Sequence, residues 1–369
     1  MGLRVTDLSK CFTRKDQSHQ ALENVSFTVP RGAFVTLLGP SGCGKSTLLN
    51  MIAGLDQPTS GLIEIGGKPV YDGARRLFVP PALRDISMVF QSYAIWPHMT
   101  VRENVDFPLK HGRKKWTAAD REATVTRSLN KVHLESFQDR PAPLLSGGQQ
   151  QRVSLARAIA QSPSLILLDE PLSNLDANLR DAMQKEIRSI VTDEGITAVY
   201  VTHDQKEALS MSDIVIVMKD GHVEQIGSPS DVYYRPQSRF VADFMGAPNL
   251  LDATVTSVDE SAGDIEAACP LGTVWLKKSG VDVQPGDKLV LVLKQEDVVV
   301  GQSAAESTNT FQLPIVRRVF LGERMEIVCA LDKAAGTHLS VYVNARTPVG
   351  VHSLSFRYRP EEIHYFREP

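Results

Sequence analysis

Apolar residues in this chain follow two rhythms. Short unbroken runs at 34–38, 86–90, 165–168, 198–201 and 214–218 read as strands covered on both faces, the pattern of a parallel sheet. Leu165-Ile166-Leu167-Leu168 is apolar at every position, as a central strand requires. Amphipathic stretches separate these runs, so 35–218 predicts an α/β layer with helices on both faces. Between Tyr93 and Leu145 the strand runs cease and charged, helix-spaced sequence takes over, with 117–132 as one helix. That segment, about 93–145, predicts an inserted helical subdomain. After the turn pair Asp220-Gly221 come a strand at 223–227, a helix around 231–244 and Gly246-Ala247-Pro248, where the domain seam is placed. Beyond it, alternating segments at 273–277, 288–293, 325–331 and 339–343, parted by Gly, Pro and Asp, predict a small β-barrel or sandwich. Leu293-Lys294-Gln295-Glu296-Asp297-Val298 and Tyr358-Arg359-Pro360-Glu361-Glu362-Ile363 echo one another after a strand each, hinting at two similar halves.

Composition narrows the class. With 369 residues the chain exceeds what one core usually supports, and 42% hydrophobic against 22% charged residues fits packed domains. A net charge of −3 gives no basic field for phosphate backbones, so no nucleic-acid partner is expected. Cys11, Cys43, Cys269 and Cys329 are scattered, which predicts neither a zinc site nor a disulfide framework and suits a reducing compartment. No apolar run approaches the roughly 20 residues of a membrane span. The N-terminus lacks the basic-then-apolar layout of a signal peptide, so the chain is expected to be neither exported nor inserted.

Three motifs carry chemistry. Gly39-Pro40-Ser41-Gly42-Cys43-Gly44-Lys45-Ser46 fits GxxxxGK[ST], follows an expected strand and, with Thr47, opens an expected helix through Leu55. Glycines allow amides to converge on phosphates, Lys45 would neutralise the β and γ groups, and the Ser46 hydroxyl would ligate Mg²⁺. Asp169-Glu170 ends the central strand, where open α/β sheets bind ligands. Asp169 suits the Mg²⁺ shell and Glu170 a water attacking the γ-phosphate. In Leu145-Ser146-Gly147-Gly148-Gln149, Ser146 can cap a helix expected at 150–160, making a second anion site.

LSGGQ with Gln150-Gln151-Arg152 resembles the signature motif of ABC ATPases, and the resemblance extends through nearly all of residues 1–245. It implies an ATP- and Mg²⁺-dependent ATPase that works as a homodimer, with Ser146, Gly147, Gly148 and Gln149 of one copy facing the phosphate loop of the other. It places Phe12 on the adenine, Gln91 as the Q-loop glutamine near Mg²⁺ or water, Asp176 in the D-loop and His203 as the switch histidine on the γ-phosphate. The stretch from Gln91 to Val101, followed by Asn104, Phe107 and Pro108, resembles the importer form of the loop that meets transmembrane partners, with Trp96, His98 and Met99 as its docking surface.

Residues 246–369 are similar to the OB-like (TOBE/MOP-type) regulatory domain of maltose, polyamine, ferric-iron and sulfate importers. The Arg-Pro-Glu element is intact only at Arg359-Pro360-Glu361 and stands as Lys294-Gln295-Glu296 in the first copy. The implied whole is an importer ATPase at the cytoplasmic face of the inner membrane, with two permease subunits and, indirectly, a periplasmic or surface solute-binding protein. The run 239–251 departs from the sugar-importer ending and leans the cargo toward polyamine, ferric ion, phosphonate or another anion over sugar or glycerol phosphate. Two competitors lack their marks. A soluble ABC ATPase of nucleic-acid or ribosome remodelling would bring tandem halves, coiled-coil arms or zinc hooks. A GTPase would bring Asn-Lys-x-Asp, where Asn130-Lys131-Val132-His133 has no aspartate.

Overall fold

The unbroken apolar runs become five strands of a six-stranded sheet. From edge to edge it runs His222–Gly227, Ile214–Lys219, Phe34–Leu38, Thr197–Thr202, Leu165–Asp169 and Ile86–Val89, parallel throughout except for the first hairpin. Its faces are divided by the period of two. Leu165, Leu167, Val199 and Val201 pack on one side with the helix Lys45–Ala53, while Ile166, Leu168, Ala198 and Tyr200 pack on the other with Val105, Leu129, Val153 and Ile187. Each such buried Leu or Ile contributes roughly 2 kcal/mol.

A second, antiparallel sheet closes the first face: Gln17–Val29, Leu3–Arg14, Ser60–Ile65, Lys68–Asp72 and Leu77–Phe78. Its pattern is blurred by bulges: the register breaks between Val5 and Leu8, so the buried residues Leu3, Val5 and Leu8 do not alternate evenly. Arg84, 4% exposed, fixes the phosphate-loop helix to this sheet by donating to the Met51 and Ile52 carbonyls at 2.7 Å and to Val79 O at 2.8 Å. Burial alone lowers its pKa to about 10, leaving it charged at neutral pH.

The expected helical subdomain contains Val101–His111 and Ala118–Lys131, capped by Thr100 and Thr117. The signature helix is Gly147–Ala160, beginning three residues before the expected 150 because Ser146 and Gln149 close a capping box over the two glycines. The phosphate-loop helix stops at Ala53, short of the expected Leu55, because Gly54 turns left-handed at φ 81°. The helix expected at 231–244 is two helices, Pro229–Tyr234 and Arg239–Phe244; Pro236 lies between them and cannot continue the first.

This computed structural model describes residues 1–14, 17–112, 114–246, 249–279, 281–300, 308–331 and 337–367. The chain divides into two compact units, Met1–Pro229 and Ser230–Pro369. The division falls ahead of the seam expected at 245/246, whose Ala247 and Pro248 lie outside the described residues. Side-chain contacts account for it. Tyr233 Oη donates to Glu296 at 2.6 Å, the Lys294 ammonium sits 3.6 Å from the Tyr233 ring centroid and bonds Met245 O at 3.3 Å, and Ala242 packs with Val290, Val292 and Phe366. Among its described residues, the other regular elements of the second unit are strands. Two five-stranded antiparallel sheets, one centred on Asn249–Asp259 and the other on Thr310–Phe320, supply one shared core that includes Leu251, Leu291, Ile327, Leu339 and Phe356. Among the described residues no helix is long and apolar enough to cross a membrane.

Candidate functional site

The phosphate loop joins the strand Phe34–Leu38 to the helix Lys45–Ala53, and its glycines are there for steric reasons. A Cβ on Gly39 would stand 2.3 Å from Met218 O, and Gly44 caps the helix at φ 101°, which side chains resist. Gly42 takes φ 85° in open space, and Ser41 is exposed beside it. Pro40 and Thr47 are half-buried, and Cys43 is buried with its thiol pushed up by desolvation. Lys45 is 5% exposed and donates to Gly39 O at 2.8 Å and Pro40 O at 2.9 Å, so its charge lies inside the curl of the loop.

From this loop one chain of contacts runs across three strand ends. Ser46 Oγ donates to Asp169 Oδ1 at 3.0 Å, and Glu170 follows directly in sequence. Glu170 Oε1 lies 3.3 Å from His203 Nδ1. Burial raises the Asp169 carboxyl above its ordinary range, with the Ser46 hydrogen bond opposing it. Glu170 holds φ 41°, a strained left-handed turn, while its amide bonds Val201 O at 3.1 Å. His203 is exposed directly after the strand Thr197–Thr202.

Gln91, exposed after the strand Ile86–Val89, donates to Ser173 Oγ at 3.3 Å and accepts at its carbonyl from Asn174 Nδ2 at 3.1 Å. Asp176 caps the helix Ala177–Asp193 by accepting from Leu179 N at 3.0 Å. Phe12 stands on the strand Leu3–Arg14 with 43% of its surface exposed and Lys10 Nζ 4.6 Å from its ring centroid. Ser146 and Gly147 are exposed, Gly148 is buried against Leu179, and the Ser146 and Gln149 side chains bond each other's backbone amides. Lys45, Ser46, Asp169, Glu170 and His203 therefore form one cluster, and Gln91 joins the segment after Glu170.

The residues fit a hard, oxygen-seeking cation beside a polyphosphate. Among the described residues no group of three or more His, Cys, Asp or Glu side chains could hold a metal, so Mg²⁺ here would rest on the Ser46 hydroxyl, the Asp169 carboxylate and phosphate oxygens.

Sequence reasoning missed the residues that hold the loops. Arg157, 8% exposed on the signature helix, donates to Ala94 O at 2.6 Å and Tyr93 O at 2.9 Å and stands 4.8 Å from the Trp96 ring. It pins two residues in left-handed backbone, Tyr93 at φ 61° and Ala94 at φ 46°, and burial lowers its pKa to about 10. Its one signal was a cation on the apolar face that Val153 and Ala156 define. Asn104, which the sequence had marked as part of this stretch without giving it a role, is fully buried and binds the 96–100 loop: its carbonyl accepts from Trp96 N at 2.9 Å, and its amide reaches Trp96 O, Met99 O and Thr100 O. Trp96 is half-buried with its ring centroid 4.2 Å from that of Phe107, whereas His98 is exposed.

Comparison with known proteins identifies the family. The ABC transporter family model matches residues 22–173. The spermidine/putrescine import ATP-binding protein PotA of Pseudomonas aeruginosa is 45% identical over 338 residues, 91% of this chain and 90% of that protein. The Fe(3+) ions import ATP-binding protein FbpC of Escherichia coli is 50% identical over 242 residues, 66% of this chain and 67% of that protein. Among solved structures, the dimeric post-hydrolysis state of the ATP-binding cassette MJ0796 with ADP and Pi shares 33% identity and a TM-score of 0.54, covering 62% of this chain and 98% of that one. A phosphate loop facing the carboxylates of an inner parallel strand, a capped LSGGQ helix and near-full-length likeness to import subunits together place this chain in the ABC transporter family, as an importer-type ATPase.

Proposed function

We propose that two copies of this chain close face to face over two ATP molecules and drive import of a polyamine through separate membrane subunits. The observation that carries the reading is the contact chain Ser46–Asp169–Glu170–His203 at the mouth of the phosphate loop. Lys45 and the loop amides hold the β and γ phosphates, and the exposed Phe12 ring offers a face to adenine. Ser46 and Asp169, with Gln91 added on the strength of the family resemblance, would hold Mg²⁺, which when bound would neutralise phosphate charge and orient the γ group. Glu170 takes the proton of a water as its oxygen bonds to the γ phosphorus; the bond to the β–γ bridging oxygen breaks, leaving ADP and phosphate. His203 contacts the same γ group in this reading, which its 3.3 Å approach to Glu170 supports. Ser146 and Gly147, exposed at the start of the signature helix, reach the γ-phosphate of the partner's nucleotide with Gly148 and Gln149, and Asp176 lines the same interface.

Glu170→Gln keeps the shape and removes the base. Turnover is expected to fall about 10²- to 10⁴-fold while the variant retains ATP and runs as a dimer in light scattering. Wild-type turnover in that variant would remove Glu170 from the role.

The chain sits at the cytoplasmic face of the membrane in this reading, with the 96–100 loop meeting two permease subunits that a solute-binding protein supplies. Likeness to the polyamine subunit extends over 91% of the chain, against 66% for the ferric-ion subunit, and this favours polyamine as cargo.

A further inference from the structure

Behind His203 lies a buried polar cluster that nucleotide chemistry does not use. Glu207 is 4% exposed, and its Oε2 accepts from Tyr200 Oη at 2.8 Å and from Thr202 Oγ1 at 2.6 Å. Thr202 Oγ1 in turn accepts from Asp204 N at 3.0 Å. The residues on both sides of His203 are thus tied to one carboxylate.

The other oxygen of that carboxylate looks toward a different segment. Arg180 Nε lies 3.9 Å from Glu207 Oε1, and Arg180 Nη1 lies 4.0 Å from Asp204 Oδ2. The same guanidinium donates to Leu175 O at 2.9 Å, and the Arg180 amide bonds Asp176 O at 2.9 Å. Arg180 Nε is buried and makes no hydrogen bond. A buried donor left unmade is costly, so the pair gains when the two segments approach and loses when they part. The stretch 170–176 that Arg180 reads is short and internally bonded: Ser173 N donates to Glu170 O at 3.2 Å and Leu175 N to Leu172 O at 3.2 Å. A shift at Leu175 and Asp176 therefore reaches His203 by two routes, through Glu170 directly and through Arg180, Glu207 and Thr202.

We propose that Arg180 and Glu207 are positioning residues forming a brace that couples the Leu175–Asp176 segment to His203 and so sets where the histidine stands relative to Glu170. The brace rests on the roles given above to Glu170 and His203. It touches no nucleotide, so its loss acts on the chemical step and spares ATP binding.

A double-mutant cycle on the full chain tests it. Arg180→Met and Glu207→Gln are each expected to lower kcat about tenfold or more with KM for ATP within about twofold, since small misplacements of a reacting group are expensive. The double variant is expected to lose no more than the worse single, because one brace is broken once. Losses that multiply in the double, losses carried by KM, or unchanged kcat would overturn the proposal. If Glu207→Gln does not fold, the hydroxyl serves: Thr202→Val is expected to lower kcat and Thr202→Ser to keep it, whereas equal kcat in the two rejects the brace. Glu170→Gln run in parallel separates the levels. Its wild-type turnover would sink the assignment beneath the brace, while an inactive Glu170→Gln beside fully active Arg180 and Glu207 variants would sink the brace alone.

Discussion

Lys294 shows what one residue does where its type disagrees with its surroundings. It is 4% exposed, and desolvation lowers its pKa from 10.5 to about 8 despite Glu296 and Asp297 nearby. In the unfolded chain the amine holds its proton up to about pH 10.5, so between about 8 and 10.5 the unfolded state binds more protons and stability rises with pH. Below pH 8 both states are charged and the full penalty stands, on the order of 3 kcal/mol. Lys294→Met removes the titration. Denaturant melts of both proteins at pH 7 and pH 10 are expected to show wild type gaining on the variant as pH rises; a difference that stays constant would mean Lys294 keeps its proton throughout. The sequence displayed this lysine only as a departure from an Arg-Pro-Glu element, because nothing in a one-dimensional pattern says which long cation will be covered by Tyr233. Arg84, Arg157 and Arg180 escaped for the same reason: each is defined by the carbonyls and carboxylates it meets across the fold. Glycines and carboxylates of the phosphate loop and central strand were legible because their chemistry is local, set by neighbours a few positions away.

Among elements, the parallel strands were readable from runs of apolar residues, since burial on both faces leaves no alternation to misread. The N-terminal antiparallel sheet went unread because its bulges break the period of two between Val5 and Leu8 and again around Lys10. The start of the signature helix was misplaced because side chains overrode propensity. Two glycines are poor helix formers, yet the capping box of Ser146 and Gln149 starts the signature helix on them. Ser146→Ala breaks that box and is expected to lower stability by about 1 kcal/mol. If Ser146 also serves the partner's nucleotide, ATP turnover falls by far more than this loss explains, with KM and kcat affected together. Melting curves and ATPase kinetics on the same sample decide between a cap alone and a cap that is also a ligand; turnover matching wild type leaves only the cap.

At the scale of the whole molecule, the two units set different questions. The first carries the ATPase machinery; the second, two sheets around one core, opens with helices that the sequence pattern had assigned to the first. Tyr233, Ala242 and Met245 decide that allegiance through Glu296, Val290 and Lys294, contacts far apart in the chain. In the proposed reading the cargo is a polyamine. In cells lacking this chain, uptake of labelled spermidine is expected to drop and return on re-expression, with ferric-ion uptake unchanged. Loss of ferric-ion uptake with spermidine uptake intact would transfer the chain to the other cargo.

Asn104 ties Trp96, Met99 and Thr100 to the first turns of the helix Val101–His111. Four bonds to one buried amide turn what would be a slack tether into a stiff handle. In the proposed reading, a push delivered to the exposed His98 side would pass into the helix as displacement more than as bending of the loop. A membrane protein that gripped this handle would move the helical subdomain as a lever moves its load.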